Sequence, residues 1–198
     1  VVVPRRQLVS IGERSVLLLD RFDRQAEQRV GYLSALSLVQ GQDGQSRDYL
    51  EVAEALAVWS VRPADDLRQL WRRIAFNVAI NNTDDHLRNL GLLRPAGGWR
   101  LAPAFDLTPN PETGRSRATA LAGADQPADT LQALVDGRSD FMMSAGAVRE
   151  ALTQVRDAVS GWARIAAGYQ IHSREVERFR PTFTAGEEAL DVALSSLS

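Results

Sequence analysis

The stretch Leu70–Leu93, "LWRRIAFNVAINNTDDHLRNLGLL", runs from a helix through a polar loop into a short apolar run. Its first half continues a pattern in which Leu67, Leu70, Trp71, Ile74, Ala75 and Val78 fall at i, i+3, i+4, i+7, i+8 and i+11. That is one apolar stripe of helical period, the mark of a helix with a buried face. Asp65 and Asp66 open it, where carboxylates favour the positive end of the helix dipole. Asn81 and Asn82 close it, because asparagine tolerates the left-handed conformation of a helix C-terminus. The polar cluster that follows therefore sits on a loop anchored by a buried helix.

Within that loop Asp84 and Asn89 stand five positions apart, and Asp106 comes 17 residues after Asn89. Between them, Leu90–Leu93 and Trp99–Leu101 are short apolar segments around Pro95–Gly98, which predicts a small hairpin. A carboxylate, an amide oxygen and a second carboxylate brought together by a hairpin are hard oxygen ligands of the kind Mg²⁺ takes. The order parallels the kinase catalytic loop, in which an Asp orients the attacking hydroxyl, an Asn five positions on holds metal, and a later Asp holds the metals on the phosphates. A plainer reading stands beside it. Asn81, Asn82, Thr83 and Asp84 are all good turn and capping residues, Asp85 reads as solvent-facing, and a lone His86 reads as a hydrogen-bonded structural histidine. The combination helix, D-x-H-x-x-N, hairpin, A-F-D is what favours the chemical reading.

The rest of the chain frames this site. With 198 residues, 44 % of them hydrophobic, it can bury one sizeable core, in one or two lobes. It has no cysteine, which excludes disulfides and thiolate metal sites. No apolar run approaches the ~18 residues of a membrane span, and no signal-peptide pattern opens the chain, so a reducing, cytoplasmic setting is expected. A net charge of −2 gives no general attraction to nucleic acid. All 23 basic residues are arginine. The chain opens at Val1 with "VVVPRR", which reads like an entry in mid-domain.

Gln7–Leu19 predicts a β-hairpin around Gly12-Glu13-Arg14, its second run apolar enough for a strand covered on both faces. Residues Arg29–Gly44 are ambiguous, with a turn at Gly41–Gln45. Helices are expected over Tyr49–Ser60, Pro127–Val135, Ala145–Ala167 and Thr184–Leu197, the last with a Thr184/Glu187 capping box. Trp71, Trp99 and Trp162 read as packing residues. Competing chemistries are poorly supplied. His86 and His172 are the only histidines, too few for a binuclear phosphohydrolase or a zinc hydrolase, and no G-x-S-x-G elbow is present.

Taken together, "LLLDRFDR" (Leu17–Arg24), Leu70–Leu93 and "WRLAPAFDLTPNPE" (Trp99–Glu112) resemble the HipA-like serine/threonine kinases, toxins of bacterial toxin–antitoxin modules. The resemblance implies an α+β, mostly α fold: the C-terminal lobe of a kinase-like architecture with a short N-terminal hairpin. Residues 1–24 would be a remnant of N-lobe strands and the hinge. Residues 25–198 would form the helical lobe, with a catalytic loop at 82–90 and a metal-binding loop at 102–114. It implies Asp84 as catalytic base, His86 as its hydrogen-bonding support, and Asn89 and Asp106 as Mg²⁺ ligands. Adenine would lie against backbone around Asp20 and Phe22 and against Phe105, with Asp23 on the ribose of ATP.

Partners implied by the resemblance are a protein substrate (an aminoacyl-tRNA synthetase in the family) and a HipB-like DNA-binding antitoxin. The chain departs from the family in one respect: it has no lysine and no glycine-rich phosphate loop before the hinge, and family members carry both in an N-terminal lobe. The expectation is a kinase domain that is weak or inactive alone: a fragment, one half of a split enzyme with a separate N-lobe chain, or a degenerate homologue. Two alternatives remain: a non-catalytic kinase-like interaction module, and a lipid-kinase relative, which would want the basic amphipathic membrane surface that the chain lacks.

Overall fold

A single helix, α3 (Pro63–Ala79), sets the architecture of the computed structural model, which describes residues 1–26 and 28–197. Every member of its predicted stripe, from Leu67 to Val78, is at most 1 % exposed. Proline at its first position and acidic residues in its first turn favour the start. Asn81, with φ of 51°, turns the chain at its end in the left-handed conformation expected of it.

Ahead of α3 come β1 (Arg6–Ile11), β2 (Arg14–Leu19), β3 (Arg24–Gln25), β4 (Gln28–Arg29), β5 (Gly31–Ser34), α1 (Ala35–Leu38), β6 (Arg47–Asp48) and α2 (Tyr49–Trp59). After it come β7 (Gly91–Arg94), β8 (Arg100–Leu101), β9 (Thr119–Ala120), α4 (Pro127–Asp136), α5 (Ala145–Ser160), α6 (Trp162–Gly168) and α7 (Ser173–Ser195). Helices α2, α4, α5 and α7 all pack on α3. Their buried residues, among them Leu56, Leu131, Leu134, Leu152 and Leu190, form one core with it. Trp71 is fully buried there, its indole donating to the Leu134 carbonyl at 3.1 Å. Trp162 stacks on Phe183 at 4.2 Å between ring centroids. The fold is thus mostly helical, and the strands of the described residues fall into four small sheets.

The predicted hairpin over Leu90–Leu101 forms, and β5 joins it as a third strand, giving the antiparallel order β5-β7-β8. That strand lies in the region left ambiguous by the sequence. Its partner is some 60 residues away, so no local pattern announces it.

Three expectations are corrected. First, β2 is not covered on both faces: Leu17, Leu18 and Leu19 are 56, 49 and 46 % exposed. It pairs only with β1, and a two-stranded ribbon has no further layer to shield its apolar faces. Second, the last helix begins at Ser173 rather than near Thr184, so Thr184 and Glu187 lie inside it and form no capping box. Its N-cap is His172, whose Nδ1 accepts from the Arg174 amide at 3.2 Å. Pro181 is carried within the helix because Thr182, Phe183, Leu190 and Ala193 are buried against the core, and packing outweighs the local penalty. Third, Ala145–Ala167 is two helices, α5 and α6, divided at Gly161.

Helix α7 approaches α3 closely enough to fix the start of the polar loop. A Cβ on Gly186 would sit 1.9 Å from the Ala79 carbonyl oxygen, so only glycine fits. No helix among the described residues is long and apolar enough to cross a membrane.

Candidate functional site

Each asparagine at the end of α3 does more than turn the chain. Asn81 donates from Nδ2 to the carbonyls of Asn110 and Glu112, both at 2.9 Å. Asn82 donates to Asn77 Oδ1 at 3.3 Å and to the Asp106 carbonyl at 3.5 Å, while its own Oδ1 accepts from the Asp84 amide at 3.3 Å. Asn110 in turn donates to Thr83 Oγ1 at 2.8 Å. Loop 82–90 and loop 102–114 are therefore stitched together by amide side chains.

That stitching places three of the singled-out residues side by side. Asn89 Nδ2 donates to Asp106 Oδ2 at 2.7 Å and to the Asp84 carbonyl at 3.4 Å. The carboxylates of Asp84 and Asp106 both belong to exposed residues. Asp106 adopts φ of 55°, a left-handed conformation that costs Asp less than most residues and that recurs at functional loops. The base of the loop is held by α1, whose Ala35 and Leu36 amides donate to the carbonyls of Leu90 and Leu87 at 2.7 and 3.1 Å.

Asp85 is not solvent-facing, which corrects the sequence reading. It is 5 % exposed and forms a buried ion pair with Arg117, itself 7 % exposed. Tyr49 and Asn77 also donate to the same Oδ2 atom, and Thr119 donates to the Asp85 carbonyl at 2.9 Å. Burial pushes the Asp85 carboxyl up to about 6 against the opposing pull of Arg117 and these donors. The Tyr49 hydroxyl is likewise pushed well above its ordinary value by burial. Asp85 thus ties the catalytic-type loop to the segment that carries Arg117 and Thr119.

His86 is half-buried, and its Nδ1 makes no hydrogen bond to the described residues. It lies over a small cavity bounded also by Arg73, Asp85, Asn89, Phe105 and Asp106. Arg73 donates from Nη2 to the Ala102 carbonyl at 2.7 Å, anchoring the start of the second loop. Burial lowers its guanidinium to about 10. Asp66, expected only to favour the helix dipole, is 2 % exposed and holds Arg100, Ser60 and the Leu101 amide. A signal for these residues was present. Asp66, Arg73 and Asn77 recur at i, i+7 and i+11, a buried polar stripe flanking the apolar one.

The "DRFDR" segment comes close to the second loop through its aromatic residue. The Phe22 and Phe105 rings lie 5.7 Å apart between centroids, and Tyr32 lies 6.4 Å from Phe22. Asp23 accepts from Arg21 and Arg24, three contacts of 2.7–2.9 Å. The Arg21 hydrogen bonds hold its carboxyl down to about 2. Asp20 is exposed, with Arg5 at 3.9 Å, and its amide donates to the Arg5 carbonyl at 2.9 Å.

Among the described residues, no three His, Cys, Asp or Glu side chains are grouped to hold a metal. The donors at hand are one carboxylate, Asp106, and the neighbouring Asn89 amide. With the Asn89 amide turned so that Oδ1 rather than Nδ2 faces Asp106, this sparse set would suit Mg²⁺, which takes one or two carboxylates with substrate phosphates completing its shell.

Comparison with known proteins identifies the family and the fold. The family model described as the HipA-like C-terminal domain matches residues 1–162. Among solved structures, the chain superimposes on HipA of Shewanella oneidensis MR-1, solved with HipB and operator DNA, with a TM-score of 0.70 at 18 % identity. That match covers 98 % of this chain and 52 % of the HipA chain, so the protein spans about half the length of that relative. The proinflammatory kinase CtkA of Helicobacter pylori matches with a TM-score of 0.68 at 16 % identity, over 99 % of this chain and 78 % of CtkA. No curated protein sequence matches. With the domain model spanning most of its length, this chain belongs to the HipA-like C-terminal domain family.

Proposed function

We propose that the chain is the catalytic and metal-holding lobe of a HipA-like, Mg·ATP-dependent serine/threonine kinase. The observation that carries this reading is the contact between Asn89 and Asp106, with Asp84 exposed on the same loop. Asp84 accepts the proton of the acceptor hydroxyl and orients it toward the phosphate. Asp106 and Asn89 would hold Mg²⁺, which would supply neutralisation of the phosphate charge. Asn82 positions Asp84 and Asp106 together, since it bonds the amide of one and the carbonyl of the other. The Phe22–Phe105 wall shields the base of ATP. Asp23 receives the ribose on the lone pair its arginine contacts leave open, since a carboxylate offers about four acceptor sites.

Phosphoryl transfer depends on positioning and electrostatic stabilisation. The chain contains no lysine to pair with the phosphates, so we propose that transfer by these 198 residues alone is slow. The apolar, exposed β1–β2 ribbon supports a docking role for it toward a further lobe. The HipB-bound state of the Shewanella protein supports a HipB-like antitoxin as a partner, and a protein acceptor follows from the kinase reading. ATP-dependent phosphorylation of a protein acceptor, measured with radiolabelled nucleotide, tests this: label transfer lost in Asp84→Asn supports it. Transfer that survives Asp84→Asn removes Asp84 from the chemistry.

A further inference from the structure

Beside the catalytic-type loop lies an open cleft of about 320 Å³, lined by neither Asn89 nor Asp106. Its walls include Gln42, Asp43 and Arg47 from the turn before α2, His86 and Arg88 from the loop, and Thr119 of β9. The size falls within the range of a ligand site. His86 borders both this cleft and the small cavity beneath the Asp106 loop, so the cleft begins where the metal-side residues end. Asp84 lies two residues before His86, and the Thr83 carbonyl accepts from the amide of Ala118, another lining residue, so the cleft flanks the loop that carries Asp84.

The lining also has a chemistry. Arg88 is paired with Asp43 across the rim, and the two side chains are 50 and 71 % exposed. Such a pair contributes little to stability, at most about 1 kcal/mol, so an incoming carboxylate can take the place of Asp43. Arg47 forms the deeper wall, held by Glu51 at 2.6 Å and Gln45 at 3.1 Å, and its Nε is buried with no partner. Amide and hydroxyl groups of Gln42, Gln45, Ser46 and Thr119 line the remainder. Mixed charge, short polar side chains and a chain net charge of −2 suit an extended polypeptide better than a phosphate backbone.

We infer that this cleft docks the acceptor polypeptide and that Arg88 selects an acidic side chain near the acceptor hydroxyl, with Asp43 standing in for that side chain in the free protein. The inference rests on the kinase reading for the role of Asp84, and its test does not require turnover. The test uses labelled ten-residue peptides, alanine-rich with one serine flanked by glutamates, and the same peptide with lysines in their place. Binding to the whole chain is followed by fluorescence anisotropy and by amide chemical-shift changes.

The glutamate peptide should bind more tightly and perturb the amides of Gln45, Leu87, Arg88 and Thr119. Arg88→Glu should weaken it about tenfold. Asp43→Asn, which frees Arg88, should strengthen it about threefold. The charge reversal Arg180→Glu, remote on α7, should leave it unchanged. Equal binding of the two peptides, perturbations elsewhere, no binding by either wild type or Asp43→Asn at millimolar peptide, or tighter binding of an oligonucleotide would each overturn the inference. Mg·ATP binding without peptide binding removes the cleft and leaves the kinase reading. Peptide binding without Mg·ATP binding does the reverse.

Discussion

Asn89 and Asp106 meet at 2.7 Å, amide to carboxylate, across the base of the β7–β8 hairpin. The contact joins two loops that the sequence separates by 17 residues, and it is made where both are open to solvent. Asn89→Ala removes this link without disturbing the core. An exposed hydrogen bond of this kind contributes about 1 kcal/mol, so urea unfolding should shift little. Mg²⁺ affinity in the presence of nucleotide should fall about tenfold, since one oxygen ligand is gone. Parallel calorimetry and urea titration check both halves.

The buried Asp85–Arg117 pair makes a pH-dependent prediction. The Asp85 carboxyl titrates at about 6 in the folded chain against an ordinary 3.8. The folded state therefore binds the proton more readily than the unfolded one between these values. Stability from this group is present below pH 4 and is lost as pH rises through 6, a change of about 3 kcal/mol at most. Asp85→Asn should abolish that slope in urea unfolding measured from pH 4 to 6.5. At pH 7 the variant should be no less stable than the wild type, because the neutral amide replaces a carboxylate whose charge burial disfavours.

Much of this fold could be read from periodicity, and the reasons for the exceptions are physical. The α3 stripe, the β7–β8 hairpin and the left-handed Asn81 follow from local rules, and each is where the sequence puts it. Asp85 is different. Nothing local tells an Asp after "NNTD" that Tyr49 and Arg117, 36 and 32 residues away, will enclose it. Exposure of Leu17–Leu19 is equally invisible, because an apolar run states what a strand prefers and not whether a second layer is there to cover it. At the site, the spacing of Asp84, Asn89 and Asp106 pointed to neighbours. The amide stitching by Asn81, Asn82 and Asn110 lay behind what read as a simple helix cap.

The exposed ribbon should behave as surface. Leu18→Thr on β2 is expected to change unfolding free energy by no more than about 0.5 kcal/mol. Leu70→Ala in the α3 stripe should cost about 2–5 kcal/mol through the cavity it leaves. Chemical denaturation of the two variants side by side separates a solvent-facing strand from a core one.

Contact between α7 and α3 has its own test. Gly186→Ala places a methyl group 1.9 Å from the Ala79 carbonyl oxygen, so the helices must part. Overpacking of this sort costs about 1–3 kcal/mol or more. Because Ala79 leads directly into the polar loop, amide exchange at Asn81–Asp85 should quicken in the variant, while exchange in the β1–β2 ribbon, whose strands pair only with each other, should change least.

The central claim is that Asp106 holds Mg²⁺ for a nucleotide. Asp106→Asn is the suitable variant, since asparagine also tolerates the left-handed backbone at φ of 55° and the fold should persist. Titration calorimetry of the wild type with ATP, with and without Mg²⁺, should show binding that strengthens at least about tenfold with the metal, and Asp106→Asn should lose that dependence. Metal-independent binding, or the same Mg²⁺ dependence in the variant, would contradict the account.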